Sequence, residues 1–304
     1  MERALERVEA SLLQQHHGAV NRSRERILLP HASLHYMAAA LPRENLLGMK
    51  IYTACGDNLR FLVLLYDASN GELLAMLEGD HLGRLRTGAA SGVATRHMAR
   101  PDASRVGLIG SGRQARTQLE AVSKVRKVKA AKVFSREEKR RRDFACEMSD
   151  RLQVPVEPAQ TAEDAVRFAD IVVTATSSRQ PVLRGEWLNP GSHVNAIGAN
   201  MLNRRELDDE ALARTGLIAV DTLEQAREEA GDLVHGLAAR PGGWDGVVEL
   251  SGIVAGATPG RRAEDEITLF KSSGIALWDV AAAGHVYREA LAKDKGKNIA
   301  PWGE

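Results

Sequence analysis

A glycine-rich turn between an apolar strand and a helix constrains the fold of this chain more than any other feature. The segment Val106-Gly-Leu-Ile-Gly-Ser-Gly-Arg-Gln-Ala115 has the G-x-G-x-x-G/A pattern. In such a turn, Gly110 permits the sharp bend, Gly112 lets a phosphate approach the backbone, and Ala115 lets the helix pack closely on the sheet. The helix N-terminus offers free N–H groups to phosphates. The segment therefore predicts a dinucleotide-binding site at the end of a parallel strand.

Strands and helices alternate along the chain after this turn. Apolar strands are predicted at residues 106–109, 131–134, 171–175, 193–197 and 217–220, and helices at 116–122, 137–152 and 161–169. Thr161 and Asp164 have the spacing of a capping box at the start of the last helix. Strands that are apolar throughout are typical of a parallel sheet covered by helices on both faces. The region therefore predicts an α/β fold.

The first hundred residues show a different pattern. A helix is predicted at 4–15, strands at 26–29, 33–37, 48–53, 60–66 and 72–77, and helices at 85–98 and 274–292. Short turns such as Asp67–Gly71 join neighbouring strands, which favours an antiparallel sheet. The 304 residues exceed the usual length of one domain, about 100–200 residues. We therefore expect two domains, or one large α/β unit with an added lobe.

The end of the second parallel strand bears on the choice of cofactor. An NAD-selective site usually has Asp or Glu at this point, whereas Arg favours a 2′-phosphate. The sequence has no acidic residue at 134–136 and instead places Ser135 and Arg136 there. These residues favour NADP. Two alternatives remain: Ser135 has capping-box spacing to Glu138, and an exposed Arg136 would allow NAD as well.

Composition argues against several other classes of function. The chain has 41 Lys+Arg and 40 Asp+Glu, so net charge gives no reason to expect a polyanion, and only 4% of its residues are aromatic. Cys55 and Cys146 form no CxxC motif, and the histidines lack metal-ligand spacing, so we expect no bound metal. The basic run at 139–142 is typical of a solvated helix face. No apolar run approaches the ~18 residues that span a membrane. We expect a soluble, cytoplasmic protein that binds neither nucleic acid nor membrane.

Six motifs in one order resemble the ornithine cyclodeaminase/mu-crystallin family. They are Leu-Gly-Met-Lys50, Leu85-Arg-Thr-Gly-Ala-Ala-Ser91, the turn at 110–115, Asn195-Ala-Ile-Gly198, Arg205-Glu-Leu-Asp-Asp209 and Thr268-Leu-Phe-Lys-Ser-Ser-Gly274. The resemblance runs from about residue 24 to residue 293. It implies a Rossmann-type doubly wound sheet at 99–273, inserted into a smaller α+β substrate-binding and dimerisation domain at 1–98 and 274–304.

The resemblance also implies chemistry at the C–N bond of a small amino acid or cyclic imino acid. Such chemistry needs cations for the carboxylate and an acid or base beside the nitrogen. The family's carboxylate-binding positions match Arg26, Lys50 and Arg86, and its catalytic aspartate is matched to Asp208, with Lys50 as a second catalytic candidate. The cofactor-binding candidates are Thr87, Gly110, Gly112, Arg113, Gln114, Ala115, Ser135, Arg136, Ala175, Thr176, Ser177 and Ser272. From the residues alone, Asp208 is also a typical helix-start acid.

Three functions are consistent with this resemblance. The first is an NAD(P)H-dependent reductase of a cyclic imino acid or a related amino-acid dehydrogenase. The second is a cyclodeaminase that releases ammonia from ornithine or lysine with catalytic NAD, and the third is a non-catalytic, cofactor-dependent binding protein. Ornithine-specific members have an acidic residue where this chain has His35, which favours the reductase.

The strand at 60–66 also predicts a homodimer. Its residues are apolar on both faces, although one face of an isolated antiparallel sheet would meet water. A second copy of the chain would cover that face, as the family resemblance implies. The alternative is that the first and last helices cover both faces within one subunit.

Overall fold

The computed structural model describes residues 1–56, 58–238, 240 and 242–299, which form two β-sheets with helices around them. The helices are α1 (Glu2–His16), α2 (Asp80–Met98), α3 (Arg113–Val125), α4 (Glu138–Leu152), α5 (Ala162–Phe168), α6 (Asp209–Arg214), α7 (Leu223–Glu229), α8 (Gly231–Gly236), α9 (Leu250–Val254) and α10 (Ala276–Ala292). The strands are β1 (Val20–Asn21), β2 (Glu25–Leu28), β3 (Ser33–Leu41), β4 (Leu46–Cys55), β5 (Asn58–Asp67), β6 (Leu73–Glu78), β7 (Arg105–Ile109), β8 (Ala130–Phe134), β9 (Val156–Pro158), β10 (Ile171–Thr174), β11 (His193–Ala196), β12 (Thr215–Val220), β13 (Val247–Glu249) and β14 (Ile267–Lys271).

Strands β1 to β6 form an antiparallel sheet in the order β1-β3-β4-β5-β6, with β2 paired to β3. Successive side chains point to opposite faces of such strands, and directly paired residues share a face. Met37, Val63 and Leu65 are buried on the face that α2 and α10 cover. Lys50 pairs with both Met37 and Val63, so its side chain points to this covered face.

Strands β7 to β14 form a parallel sheet in the order β13-β12-β14-β11-β10-β7-β8-β9. From β7 the chain moves outward through β8 and β9, then returns to the other side of β7 and moves outward through β10 and β11. The strand order therefore reverses between β7 and β10. At such a reversal the connections diverge and leave a crevice beyond the carboxyl ends of the strands.

One continuous core joins the two sheets. Leu12 of α1, Phe270 of β14 and Trp278 of α10 are buried in the same cluster, with the small residues of α2 between them. Two further clusters lie around the parallel sheet. Because α2 packs against both sheets, it fixes the position of the crevice relative to the antiparallel sheet.

The predicted α/β class with a doubly wound parallel sheet is confirmed, and so is the capping box of α5, in which Thr161 and Asp164 exchange hydrogen bonds of 3.0 Å. The sequence analysis predicts none of β1, β9, β13 and α7 to α9, and two further elements differ from prediction for a visible reason. Helix α2 begins at Asp80 rather than residue 85, since Gly83 interrupts its helical pattern. The sequence predicts no strand at β14, because Thr268 and Lys271 shorten its apolar run, yet all five residues are buried.

The domain boundaries stay a prediction, and residues 300–304 of the predicted second segment lie outside the described ranges.

Candidate active site

A cleft of about 580 Å³ lies between the two sheets. One wall comes from β3, β4 and β5. The other comes from the start of α2, the first turn of α3 and the loops after β10, β11 and β14. These loops follow the carboxyl ends of parallel strands, where ligands bind in doubly wound folds. The cleft is therefore the candidate active site.

The glycine-rich turn has the geometry that a bound dinucleotide requires. Gly110 has a φ of +112°, and a Cβ there would clash with the carbonyl oxygen of Ala175. A Cβ at Gly112 would meet no atom within 4 Å, so space is open on that side. Helix α3 begins at Arg113 without a side-chain cap, which leaves its first N–H groups free for phosphate oxygens. Ala115 is fully buried. The turn therefore fits the pyrophosphate of a dinucleotide.

Two side chains of the same turn differ in what they contact. Gln114 lines the cleft, and its buried Oε1 has no hydrogen-bond partner in the part of the chain that the structure describes. Arg113 instead forms a 3.1 Å ion pair with Asp80 at the start of α2. Of these two residues, Gln114 is therefore the one that lies at the cleft.

Ser135 and Arg136 directly follow β8. Ser135 Oγ accepts a 3.0 Å hydrogen bond from Ser111 Oγ, which places Ser135 beside the glycine-rich turn. It does not cap α4, whose N-cap is Glu137, so the capping-box alternative is wrong. Arg136 is exposed, and the guanidinium of the nearby Arg140 is paired with Glu137.

The other predicted cofactor residues divide into two groups. Thr87, Ser177 and Ser272 line the cleft. Thr176 does not, because its N–H and Oγ1 donate to Glu206 at 2.7 and 2.8 Å. Burial raises the pKa of Glu206, whose carboxyl group also accepts from the N–H of Gly198. One buried carboxyl group therefore holds the loops after β10 and β11 together.

Lys50 and Arg86 meet on a third residue, Asp279 of α10. Asp279 Oδ1 accepts from Lys50 Nζ at 2.9 Å and from Arg86 Nε at 3.1 Å, and all three residues are buried. Burial lowers the pKa of Lys50 to about 8, while Asp279 opposes this shift and Arg86 adds to it. Two predicted carboxylate-binding residues are thus brought together with a net positive charge. The sequence analysis missed Asp279, although an acid within the apolar run Ile275–Ala283 was a visible signal.

The structure places Arg24, rather than the predicted Arg26, in the lining of the cleft. Arg26 contacts the carboxylate of Glu229 and donates to the carbonyl oxygen of Asn200 at 3.2 Å. Arg24 also binds Glu229, through both carboxylate oxygens. Arg24 and Arg26 are two residues apart in an extended segment, so both can point to the same side, and spacing alone does not tell which of them reaches the cleft.

Asp208, the predicted catalytic acid, does not line the cleft. It is the N-cap of α6, and its carboxylate accepts from the N–H groups of Ala211 and Gly185 at 2.8 and 2.9 Å. The contacts of Asp208 are therefore those of an acid at the start of a helix, which is the alternative that the sequence itself offers. Asn200 and Arg204, from the preceding loop, line the cleft instead.

His35 lines the far wall of the cleft and stacks on Tyr52, with ring centroids 4.4 Å apart. Burial and the nearby Arg26 and Arg24 lower the pKa of His35 to about 4, so the ring is neutral at pH 7. This wall therefore presents flat, uncharged surfaces.

Within the described ranges, no cluster of three or more His, Cys, Asp or Glu has the arrangement of a metal site. No helix in them is long and apolar enough to cross a membrane.

A dinucleotide turn beside a buried pair of cations is the arrangement expected of a dinucleotide-dependent enzyme that acts on small anionic molecules. The sequence model of the ornithine cyclodeaminase/mu-crystallin family matches residues 1–294. The chain belongs to this family, which confirms the predicted resemblance.

Relatives and solved structures agree with this placement. A Delta(1)-pyrroline-2-carboxylate reductase from Bacillus cereus is 36% identical over 288 residues, which cover 90% of this chain and 88% of the relative. The structure of Thermococcus litoralis Delta(1)-pyrroline-2-carboxylate reductase in complex with NADH and L-proline has a TM-score of 0.93 and 36% identity, and covers 97% of this chain and 95% of that chain. An archaeal alanine dehydrogenase dimer with bound NAD has a TM-score of 0.93 and 34% identity, with 99% and 95% covered. The prediction of an NAD(P)H-dependent oxidoreductase acting on C–N bonds is confirmed at the level of this class.

Proposed function

We propose that the chain reduces the C=N bond of a small cyclic imino acid, such as pyrroline-2-carboxylate, to the amino acid. The observation that carries this proposal is the buried group of Lys50, Arg86 and Asp279, in which two cations share one carboxylate. One positive charge is left uncompensated in the cleft, beside the dinucleotide turn. An α-carboxylate is the anion that suits it, and the relatives named above act on such molecules.

The residues have distinct roles in this reaction. A bound reduced nicotinamide would supply the hydride for the imine carbon. Arg86 binds the substrate carboxylate with its planar guanidinium, which suits two parallel hydrogen bonds. Lys50 holds a proton on Nζ and donates it to the imine nitrogen, since its pKa of about 8 keeps it protonated but acidic enough to transfer the proton. We assign this proton to Lys50 rather than Asp208 because Lys50 lines the cleft.

The wall opposite the cations favours a cyclic imine over a diamino acid. A distal ammonium group would need a free carboxylate, but Asp80, an acid that lines the cleft, is paired with Arg84 and Arg113 at 3.1 Å. The neutral His35 and the ring of Tyr52 offer a flat surface for a five- or six-membered ring instead. This supports the reductase over the cyclodeaminase alternative.

The preferred cofactor in this proposal is NADPH. Ser135 lies beside the glycine-rich turn, and the exposed Arg136 follows it without a neighbouring acid at 134–136. A hydroxyl and a guanidinium suit a 2′-phosphate, whereas an acid would suit a 2′-hydroxyl. Bound NADH and NAD in the two solved structures support a nicotinamide cofactor in general.

The active form in this proposal is a homodimer. The uncovered face of the antiparallel sheet carries an apolar groove of about 270 Å³, lined by Val20, Ala38, Leu47, Met49 and Tyr66 among others. Helices α2 and α10 pack on the opposite face. A second copy of the chain is the occupant that fits, because the archaeal alanine dehydrogenase of the same fold is a dimer.

The decisive experiment mixes the purified protein with pyrroline-2-carboxylate and NADPH, and follows nicotinamide absorbance and ammonia together. We expect one NADPH oxidised per imine consumed and no ammonia. Lys50→Met should abolish turnover, while the matched exposed substitution Lys124→Met on α3 should not. Ammonia release from L-ornithine with no net absorbance change would establish the cyclodeaminase. Tight cofactor binding without turnover of any imino or amino acid would establish the binding protein.

A further inference from the structure

We propose that Asp279 is a positioning residue for imine reduction: it presents the guanidinium edge of Arg86 to the substrate carboxylate and keeps Lys50 able to donate its proton. The inference rests on the proposed function and assigns a role to a residue that lies outside the six sequence motifs. Asp279 belongs to α10, 229 residues after Lys50 in the chain.

Asp279 is a charged residue within a buried apolar segment of α10. Its neighbours Trp278 and Val280 are completely buried, and its own exposure is 0%. An isolated carboxylate there would be very costly, so it must be paired with cations or donors. Its Oδ1 accepts from both Lys50 and Arg86, whereas Oδ2 has no hydrogen-bond partner among the described residues. A single carboxylate oxygen, Oδ1, therefore binds both cations.

The contact with Arg86 uses only one side of the guanidinium. Asp279 takes Nε, and Nη1 is buried without a partner in the described part of the chain. The same Nη1 faces the loop after β14, where a Cβ at Gly274 would lie 2.6 Å from it. Because that loop covers Nη1, Nη2 is the nitrogen left for an anion in the cleft: it has no partner among the described residues and is not fully buried. A carboxylate bound there would accept a charge-assisted hydrogen bond from the guanidinium group.

The contact between Asp279 and Lys50 shifts the pKa of Lys50 in the direction opposite to the other charges that face its ammonium group. Burial, Arg86 and Arg24 all lower the pKa of Lys50, and Asp279 raises it. The remaining groups near it are uncharged or neutralised: the Phe61 ring lies 5.3 Å away, His35 is neutral, and Arg84 is paired with Asp80. Among the described residues, Asp279 is thus the group that opposes loss of the proton from Lys50.

The test compares Asp279→Asn and Asp279→Glu through the pH dependence of kcat/KM for pyrroline-2-carboxylate. In the wild type, kcat/KM should fall above about pH 8, as Lys50 loses its proton. This falling part of the pH profile is called the basic limb. In Asp279→Asn, the basic limb should move to lower pH by at least one unit. At pH 8, kcat/KM of this variant should then be about tenfold or more below the plateau value that the variant reaches at lower pH. Asp279→Glu keeps the charge but displaces it, so the limb should stay near pH 8 while KM rises.

Two controls separate this role from general damage. Asp170→Asn removes another largely buried carboxylate, paired with Arg105 at the opposite end of the parallel sheet, and should leave the limb at its wild-type pH. Lys50→Arg replaces the titrating group and should remove the limb near pH 8. If Asp279→Asn fails to fold, the Glu variant still decides: an unchanged KM, or a limb displaced as far as one unit, overturns the proposal.

A binding measurement keeps the inference independent of turnover. Pyrrole-2-carboxylate, a planar carboxylate that cannot be reduced by hydride transfer to an imine, is titrated into the protein with saturating NADP⁺. Asp279→Asn should weaken its binding at least tenfold at pH 7, whereas Asp170→Asn should not. Wild-type affinity in Asp279→Asn overturns the positioning role even if imine reduction is confirmed. Weakened binding supports it even if no imine is reduced.

Discussion

Arg24 donates hydrogen bonds to both carboxylate oxygens of Glu229, at 2.7 and 2.9 Å. The pair joins the segment before β2 to the last residue of α7, and both side chains are buried. Arg26 contacts the same carboxylate, and Arg24 also donates to the carbonyl oxygens of Ser273 and Gly274. The antiparallel sheet is therefore tied directly to the loop that lines the cleft behind Arg86.

Glu229→Gln should destabilise the protein strongly, because it leaves the buried Arg24 without a counter-charge. Loss of one partner of a buried ion pair costs about 3–5 kcal/mol. Urea unfolding followed by circular dichroism measures this difference. Glu163→Gln is the control, since its exposed pair with Arg167 contributes about 0–1 kcal/mol. Equal stability of the two variants would contradict a structural role for the buried pair.

Gly112→Ala should separate cofactor binding from folding. Gly112 has an ordinary φ of −77°, and a Cβ there meets no protein atom, so the unfolding midpoint should stay within a degree or two. The methyl group would instead occupy the space that the pyrophosphate needs, and the Kd for the cofactor should rise at least tenfold. Gly110→Ala should lower both stability and affinity, because its φ is positive and Ala175 blocks the Cβ. Fluorescence titration and thermal unfolding of both variants check this.

Much of the fold could be predicted from sequence because its signals are local. The turn at 110–115, the buried strand at 171–174 and the capping box of α5 each depend on residues close together in the chain. The strand β14 could not be predicted in this way. Its central position in the sheet follows from its neighbours β11 and β12 rather than from its own five residues.

The candidate site was harder to predict, because its contacts join distant parts of the chain. Lys50 and Arg86 were predicted as cations, but only the fold shows that Asp279 links them. Asp208 has the local signal of a helix cap, and the structure places it in that role rather than in the cleft. Local spacing likewise did not separate Arg26 from Arg24. Burial and pairing decide such cases, and neither is encoded within one motif.

Arg136→Ala should reduce the preference for NADPH over NADH. A charge-assisted contact to a phosphate contributes about 1.5–3 kcal/mol, so the Kd for NADPH should rise roughly 10- to 150-fold while the Kd for NADH stays constant. Arg140→Ala is the matched control, because this exposed side chain is already paired with Glu137. Isothermal titration of the wild type and both variants with each cofactor measures the six dissociation constants. Equal wild-type affinities for NADH and NADPH would refute the preference.

Leu64→Asp should convert the proposed dimer to monomers. Leu64 pairs with Met49 and with Met76, which is 53% exposed, so the three side chains share the uncovered face of the sheet. A charge at their centre would have to be buried in a dimer interface on this face. Light scattering at micromolar concentration should give twice the 33.0 kDa chain mass for the wild type and the single mass for the variant. Leu291→Asp, on the exposed side of α10, should leave the wild-type mass unchanged. A wild-type mass near 33.0 kDa would end the dimer proposal.

His193 should make the protein less stable as pH falls from 6.5 towards 3. Burial, reinforced by Arg261 and Arg126, lowers the pKa of this fully buried ring to about 3. The unfolded chain then binds a proton below its ordinary pKa of about 6.5 while the folded chain does not, so the free energy of unfolding decreases with falling pH. The expected loss from this group is about 2 kcal/mol between pH 7 and pH 5. His193→Asn, which retains a polar group for Thr268, should flatten this part of the stability curve, whereas the exposed His31→Asn should not. Urea unfolding at a series of pH values measures the slope, and an unchanged slope in His193→Asn would show that other groups cause the acid sensitivity.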